Sequence, residues 1–189
     1  MNLRITFKKF KIGIGVYGGL DLHGRPRNVS WTWLSHSVYA GNNTASLVDA
    51  VDWQVGEQIV FTTTTYVANQ SDVMTIEYIS SDRKTLVFNS TFEYDHLAYS
   101  ETLSSGARYK IAAGVGLLTR NLKIVSDETD SLQGFRMIVS TYSAFVNQVD
   151  IFYKGYARVS NTEFVGFGQT NLYTGDDSKY GILFSDLGN

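Results

Sequence analysis

The chain of 189 residues contains no cysteine, a single proline (Pro26) and only three histidines. Without cysteine there are no disulfides, no thiolate zinc sites and no cysteine nucleophile. A domain of this length can bury enough core without disulfides, so the absence does not decide the redox compartment. Scarce proline and the lack of any Pro-rich or Gly/Ser-rich tract leave no linker, which implies continuous packing along the chain. Charge is also sparse: 18% of residues are charged and the net charge is -2. The only basic tract is Lys8-Lys9 with Lys11, so a nucleic-acid footprint is missing. The acidic cluster Asp127-Glu128 with Asp130 is short and reads as a solvated loop. No apolar run approaches the roughly 18 residues of a membrane span, and residues 1–20 lack a continuous signal-peptide core.

Signatures of catalysis are equally thin. His23, His36 and His96 lie far apart in sequence and show no H-x-E or H-E-x-x-H spacing, so neither a metal ligand set nor a cofactor is expected. Each histidine reads as a hydrogen-bonded structural side chain, His23 in the turn of LDLHG. No G-x-S-x-G occurs. A G-x-G-x-x-G does occur at Gly13 to Gly18, but Gly19-Leu20-Asp21-Leu22 follows it as a strand rather than a helix, which excludes a dinucleotide site. No catalytic residue is assigned, and the chain reads as a non-enzyme.

What the sequence has is aromatics (Tyr 12, Phe 11, Trp 3), 17 glycines and many β-branched residues, the composition of pleated sheet joined by tight turns. Ile12 to Leu22 reads as strand, and so does Ile59 to Thr65. In Met74 to Ile79, Met74, Ile76 and Tyr78 share a face. A turn at Ser81 to Arg83 and a strand Thr85 to Phe88 complete a hairpin. The one segment with a helical look, Ser46 to Trp53, is too short to stand as a helix. In the second half Leu122 pairs in parity with Ile124, Met137 with Val139, Ala157 with Val159 and Ile182 with Phe184. The markers Leu122, Met137, Val159 and Ile182 lie 15, 22 and 23 positions apart. Irregular steps near twenty suit the coils of a parallel β-helix, in which each turn stacks on the one before; a β-sandwich would show turn signals about every 8–12 residues.

Five phrases carry a family resemblance in their order along the chain: GVYGGLDLHG, SWTWL, VDWQVGEQIVFTTTTY, VGLLTRNLKI and YKGYARVSNTEFVGFGQ. Their succession resembles the fibrocystin and fibrocystin-L family, at the stretch that leads from the tail of a G8 domain into a right-handed parallel β-helix. The resemblance implies an all-β fold in which residues 1–114 form the end of a G8-like region and a small antiparallel β-module. Residues 115–189 would then form successive β-helix coils. It also implies an exported protein, extracellular or at the cell surface, of which this chain is one segment. Hyaluronan-processing relatives follow the GQ phrase with a histidine-containing strand. Here the stretch reads Tyr180-Gly181-Ile182-Leu183-Phe184-Ser185-Asp186, without histidine, and a structural or recognition role is expected rather than glycan cleavage.

Candidate contact residues follow from chemistry. N-x-S/T sequons stand at Asn28, Asn42, Asn69 and Asn89, all in expected loops of the first half. Trp31, Trp33 and Trp53 are expected in the core of the small module, with a sugar-stacking platform as the alternative; Trp31 and Trp33 share strand parity. Tyr153, Tyr156, Tyr173 and Tyr180 are surface candidates. Asp176 and Asp177 follow Gly175 and describe an exposed turn. Tyr173, Asp176, Asp177 and Tyr180 form the set of ligand-contact candidates, for glycan or protein. An open edge of the last coil is expected to take further coils or another chain.

Overall fold

The computed structural model describes residues 3–7, 13–126, 134–168 and 180–187, with backbone alone for 3–7. Every regular element among them is a β-strand. The strands sort into two compact units. One comprises the chain up to Pro26 together with the chain from Arg120 onward; the other is Arg27–Thr119.

The first unit opens with β1 (Leu3–Phe7), β2 (Gly13–Val16) and β3 (Gly19–His23). These three short strands form one coil. The chain then leaves to build the second unit from β4 (Trp31–Trp33), β5 (Thr44–Ser46), β6 (Gln58–Phe61), β7 (Asp72–Ile79), β8 (Thr85–Phe88), β9 (Ala98–Thr102), β10 (Arg108–Ala112) and β11 (Gly114–Leu117). It returns as β12 (Leu122–Ser126) and β13 (Arg136–Val139), a hairpin of β14 (Thr141–Val146) and β15 (Val149–Lys154), then β16 (Tyr156–Ser160), β17 (Thr162–Val165) and β18 (Ile182–Phe184).

Pairing in the first unit is parallel on three faces. The sheets are β1-β12-β17, β2-β13-β18 and β3-β16, so successive coils stack strand on strand, the pattern of a parallel β-helix. Register brings like residues into columns: Ile5 with Ile124 and Phe164, Ile14 with Met137 and Ile182, Val16 with Val139 and Phe184. Because side chains alternate with a period of two, each column stays on one side of its sheet. Phe135, Met137, Val139 and Val16 form the buried interior, with Ile14, Leu20, Ala157 and Phe167 against it. One corner shows why its residues are what they are. Asn161 sits at φ 50°, a left-handed conformation that asparagine tolerates. A Cβ on Gly24 would stand 1.9 Å from the Asn161 carbonyl oxygen, so only glycine passes there. The β14–β15 hairpin turns through Asn147 (φ 52°) and Gln148 (φ 66°), the two positive values of a type I′ turn.

The expected division at 114/115 is therefore corrected in two ways. β1, β2 and β3 belong to the parallel unit, and β11 belongs to the antiparallel one. The antiparallel module does not precede the coils; it is inserted between the first and the second. A period sought from Leu122 onward cannot find a first coil that ends before residue 26, because the insertion hides the repeat.

The second unit is antiparallel. Six strands run in the order β4-β11-β6-β7-β8-β5, and a Leu34–Leu47 bridge joins the two outer strands, so the sheet closes on itself and leaves no long free edge. Its interior holds Trp53, Phe61, Phe88, Leu34, Ile59, Ile76 and Leu86. Phe61, Phe88 and Phe92 meet edge to face at 4.8–5.6 Å, the favoured aromatic geometry. The Met74–Phe88 hairpin forms as the alternation implies. Tyr78, however, is exposed rather than beside Met74 and Ile76, because a β-bulge between Ile76 and Tyr78 shifts the register. Ser46 to Trp53 is a short strand end followed by bends.

One polar pair is enclosed in this apolar interior. His96 is fully buried; its Nδ1 donates to the Thr62 carbonyl at 3.0 Å and its Nε2 meets Asp72 Oδ2 at 2.9 Å. Asp72 also accepts the N–H groups of Glu93 and Tyr94. The histidine that lacked a ligand constellation thus ties the loop after β6 to the loop after β8.

Since the 27–119 unit has its own closed sheet and core, a fragment of those residues is expected to fold alone. Circular dichroism should give one cooperative melt with strand content retained. A fragment that is unfolded at 25 °C would show that the module depends on the coils.

Candidate functional site

The tryptophans divide. Trp53 is in the core as expected, at 0% exposure, with its Nε1 donating to the Val29 carbonyl at 2.6 Å. Trp31 and Trp33 are not: they are 57% and 42% exposed, while Thr32 between them is buried. Parity was legible, but the face was not. The core side of β4 is taken by the smaller Thr32, whose hydroxyl donates to Asp49 at 2.7 Å. The reason lies on the neighbouring strand. Trp31 and Trp33 stand in register with Gly116 and Gly114 of β11. Those glycines present no side chain outward; the Trp33 ring comes within 3.9 Å of where a Gly114 Cβ would stand, and the two indoles meet edge to face at 5.1 Å and 81°. The W-x-W of SWTWL and the G-x-G of VGL's preceding stretch (Gly114-Val115-Gly116) are halves of one outward platform.

Trp33 continues into a surface groove of about 540 Å³ lined also by Thr63, Thr64, Lys110, Ile111 and Ala112, within the size range of small-molecule sites. The threonine run Thr62 to Thr65 explains its floor. Thr62 Oγ1 accepts the Gly114 N–H at 2.8 Å and Thr64 Oγ1 accepts the Leu97 N–H at 3.1 Å. Thr65 Oγ1 donates to Gln70 Oε1 at 2.6 Å. The Thr62 N–H still bonds the Gly114 carbonyl at 2.9 Å, while threonine hydroxyls take the N–H groups of Gly114 and Leu97; the β9–β10 ribbon contributes Lys110, Ile111 and Ala112. The groove offers an aromatic face, hydroxyls, an ammonium and a small apolar wall.

Asn28, Asn42, Asn69 and Asn89 are all exposed and all lie outside the strands of the antiparallel unit. Register places three of them together. Asn42 precedes the start of β5, Asn89 follows the end of β8, and Asn69 lies in the β6–β7 loop; Thr44 pairs with Val87 and Phe61 with Asp72, so these three loops share one end of the sheet. Asn28 lies before β4, at the other end. Its backbone is fixed: the N–H groups of Asn28 and Val29 donate to Asp52 at 3.0 and 3.4 Å, and neighbouring Arg27 bonds Glu57 and the Asp52 carbonyl. Partial burial pushes the Asp52 carboxyl upward, but these backbone donors and the Arg27 charge outweigh it and hold the group below its ordinary value.

Of the ligand-contact candidates, Tyr180 is exposed, whereas Tyr173, Asp176 and Asp177 lie outside the described residues. Tyr153 and Tyr156 are exposed on the parallel unit. Glu163 is engaged structurally, pairing with Lys123 at 2.8 Å and accepting the Arg120 N–H. Among the described residues no cluster of three His, Asp or Glu side chains is arranged to hold a metal ion. Sequence reasoning missed Thr63, Thr64 and Lys110; the only signal was the length of the threonine run.

The fold is thus a segment of stacked parallel coils that carries an inserted antiparallel module with an outward tryptophan pair. The chain is 39% identical to human fibrocystin-L over 180 residues, covering 93% of this chain and 4% of that protein. It is 30% identical to dog fibrocystin over 155 residues, 82% of this chain and 4% of the relative. A G8 domain-containing protein of Dictyostelium discoideum is 30% identical over 177 residues, 90% of this chain and 10% of that one. This stretch of sequence belongs to the fibrocystin and fibrocystin-L family. It spans about one twenty-fifth of the length of the fibrocystin-L chains it matches. No protein-family model matches the chain. Among solved structures, the tailspike of Pseudomonas phage phi297 aligns at TM-score 0.38 with 13% identity, over 86% of this chain and 23% of that one.

The Asp52 geometry makes a signed prediction. A carboxyl whose folded pKa is depressed stabilises the fold above its unfolded pKa, and the contribution fades as pH falls through the folded value. Asp52→Asn should therefore lower the melting temperature at pH 7, and the gap to the unmodified chain should narrow as pH falls below the ordinary carboxylate range. A gap independent of pH would mean that the carboxylate charge is irrelevant to holding Asn28 in place.

Proposed function

We propose that this chain is a non-catalytic scaffold and recognition segment of an extracellular or cell-surface protein, with the antiparallel module as its saccharide-recognising part. The observation that carries this reading is the solvent-facing Trp31–Trp33 pair, in register with Gly116 and Gly114, next to the groove of Trp33, Thr63, Thr64 and Lys110. Burying an indole is among the most favourable uses of that side chain, and here two remain outside while the core is filled by others. An aromatic face stacks on the apolar face of a pyranose ring, hydroxyls meet its hydroxyl groups, and Lys110 suits a carboxylate or sulfate on the sugar. Family membership and four exposed sequons support an exported setting, with glycans carried on the module. The absence of a titratable constellation in the groove favours binding over cleavage.

The test uses chain secreted from eukaryotic cells. Intact-mass analysis should show N-glycans on the module, at sites among Asn28, Asn42, Asn69 and Asn89. In glycan-array and calorimetric assays, acidic oligosaccharides should bind, and W31A/W33A should weaken binding at least tenfold with a melting temperature within a few degrees. Retained affinity in that variant would remove the groove from the reading; shortened oligosaccharide products would replace recognition with catalysis.

A second observation concerns the scaffold role. Met137 and Val139 are 1% and 0% exposed, yet Ile182 and Phe184, next in the same columns, are 38% and 55% exposed. Among the described residues nothing covers the columns at β18, which leaves apolar side chains and a strand edge in water. A further coil is the natural cover. The isolated chain should self-associate as concentration rises in light scattering, and I182K/F184K should abolish this without unfolding. A chain that stays monomeric at every concentration tested would leave this face without an interface role.

A further inference from the structure

We infer that the outer face of the β3–β16 sheet, with the tyrosines at its corner, is a second binding strip, and that it takes a neutral saccharide chain. Parallel register sets outward residues of the two strands side by side: Tyr156 with Gly19, Arg158 with Asp21, Ser160 with His23. Tyr156 lies across Gly19 because a Cβ there would stand 2.3 Å from the tyrosine oxygen. The ring is then fixed from two directions. The Arg158 guanidinium sits 4.7 Å from the ring centroid, a cation–π contact, and the Tyr156 hydroxyl donates to Asp21 Oδ2 at 3.4 Å. Arg158 Nε is 3.8 Å from Asp21 Oδ1. His23 Nδ1 and Ser160 Oγ are 2.8 Å apart. At the corner before β3, Tyr17 meets Tyr142 at 5.8 Å, and Tyr142 meets Tyr153 at 6.4 Å. All four tyrosines are about half exposed.

These groups are ordered yet unsaturated. A guanidinium has five N–H donors, of which the Asp21 contact engages one; Asp21 is met also by His23 Nε2 at 3.7 Å, so the spare capacity lies mainly on Arg158. Exposed ion pairs of this kind add little to stability; backbone pairing already holds the coil, so the side chains are not needed to keep the sheet together. The corner tyrosines Tyr17, Tyr142 and Tyr153 give aromatic surface at one end, and Asp21, Arg158, Ser160 and His23 give donors and acceptors along the strip, the two chemistries that the C–H faces and hydroxyls of a sugar chain meet. Asp21 and Arg158 balance in charge, which favours a neutral ligand over an acidic one and separates this strip from the Lys110 groove. From Tyr156 to Ser160 the strand advances about 13 Å, longer than one sugar ring, so the ligand is an oligosaccharide. The hydroxyl-bearing face is distinct from the apolar columns inside, so occupancy would leave the coil stack untouched.

The test is made in the W31A/W33A background, which silences the groove, and is independent of whether the groove binds sugar. Titration calorimetry with neutral gluco-, manno- and galacto-configured hexasaccharides should show saturable binding with one ligand per chain. Tyr156→Ala should weaken it at least tenfold, and Tyr142→Ser, on the exposed hairpin where folding is not at stake, severalfold. Asp21→Asn should weaken it without changing the melting temperature by more than a few degrees. Absence of binding to the whole neutral panel, affinity unchanged in both tyrosine variants, or a preference for carboxylated hexasaccharides would each overturn the assignment.

Discussion

The constraint on which this molecule depends is the in-register parallel stacking of β1, β2 and β3 under β12, β13 and β16. These partners are separated in sequence by the whole antiparallel module. A slip of one residue in any of them would turn every interior side chain outward. The same register that places Met137 over Ile14 in the interior also places Arg158 beside Asp21 and Ser160 beside His23 on the surface. Core and outer strip are therefore one decision of alignment. Backbone ladders set it, the apolar columns enforce it, and corners such as Gly24 against Asn161 limit which residues can make it.

Both candidate surfaces use the same local device on different sheets. A large aromatic faces outward beside a glycine in register on the neighbouring strand: Trp33 beside Gly114, Tyr156 across Gly19. Glycine weakens a strand, because it brings no side chain to pack and loses more backbone freedom on folding. An aromatic laid over it restores contact and is itself oriented. The outcome is a ring whose position is fixed by backbone rather than by a flexible side-chain neighbourhood, which is what a recognition surface requires.

What could be read from sequence follows from what is local. The Met74–Phe88 hairpin, the parity of Trp31 with Trp33, and the inward pairs Leu122/Ile124 and Met137/Val139 are patterns within a few residues, and the fold keeps them. Whether a parity faces in or out is not local. It depended on Gly114 and Gly116, some eighty positions after the tryptophans, and the choice of core for Trp31 and Trp33 failed there. The bulge that turns Tyr78 outward left no mark in the alternation. Tyr17, Tyr142 and Tyr153 meet only because a hairpin inserted in the second coil folds back to a corner of the first. The threonine run was visible as a strand end; that its hydroxyls support a groove required Gly114 and Leu97 as partners.

The insertion also bears on how the coils can form at all. Parallel strands far apart in sequence pair only after a large loop has closed, at an entropic cost that grows with loop length. Within the antiparallel unit the Leu117 N–H donates to the Ser30 carbonyl at 2.9 Å, so the two ends of the module lie side by side once its sheet has closed. Folding the module therefore replaces a long flexible loop with a short one. The segments just outside it then meet, the Arg25 N–H donating to the Asn121 side chain, and the second coil starts where the first stopped. A module rich in antiparallel neighbours has its own sixteen-residue buried core, so closing it first would shorten the loop that the coil strands must close. Trp31 and Trp33 sit on the unit in which β6–β7, β7–β8 and β9–β10 pair between neighbours in sequence, while the register of the coils rests on their own ladders and apolar columns.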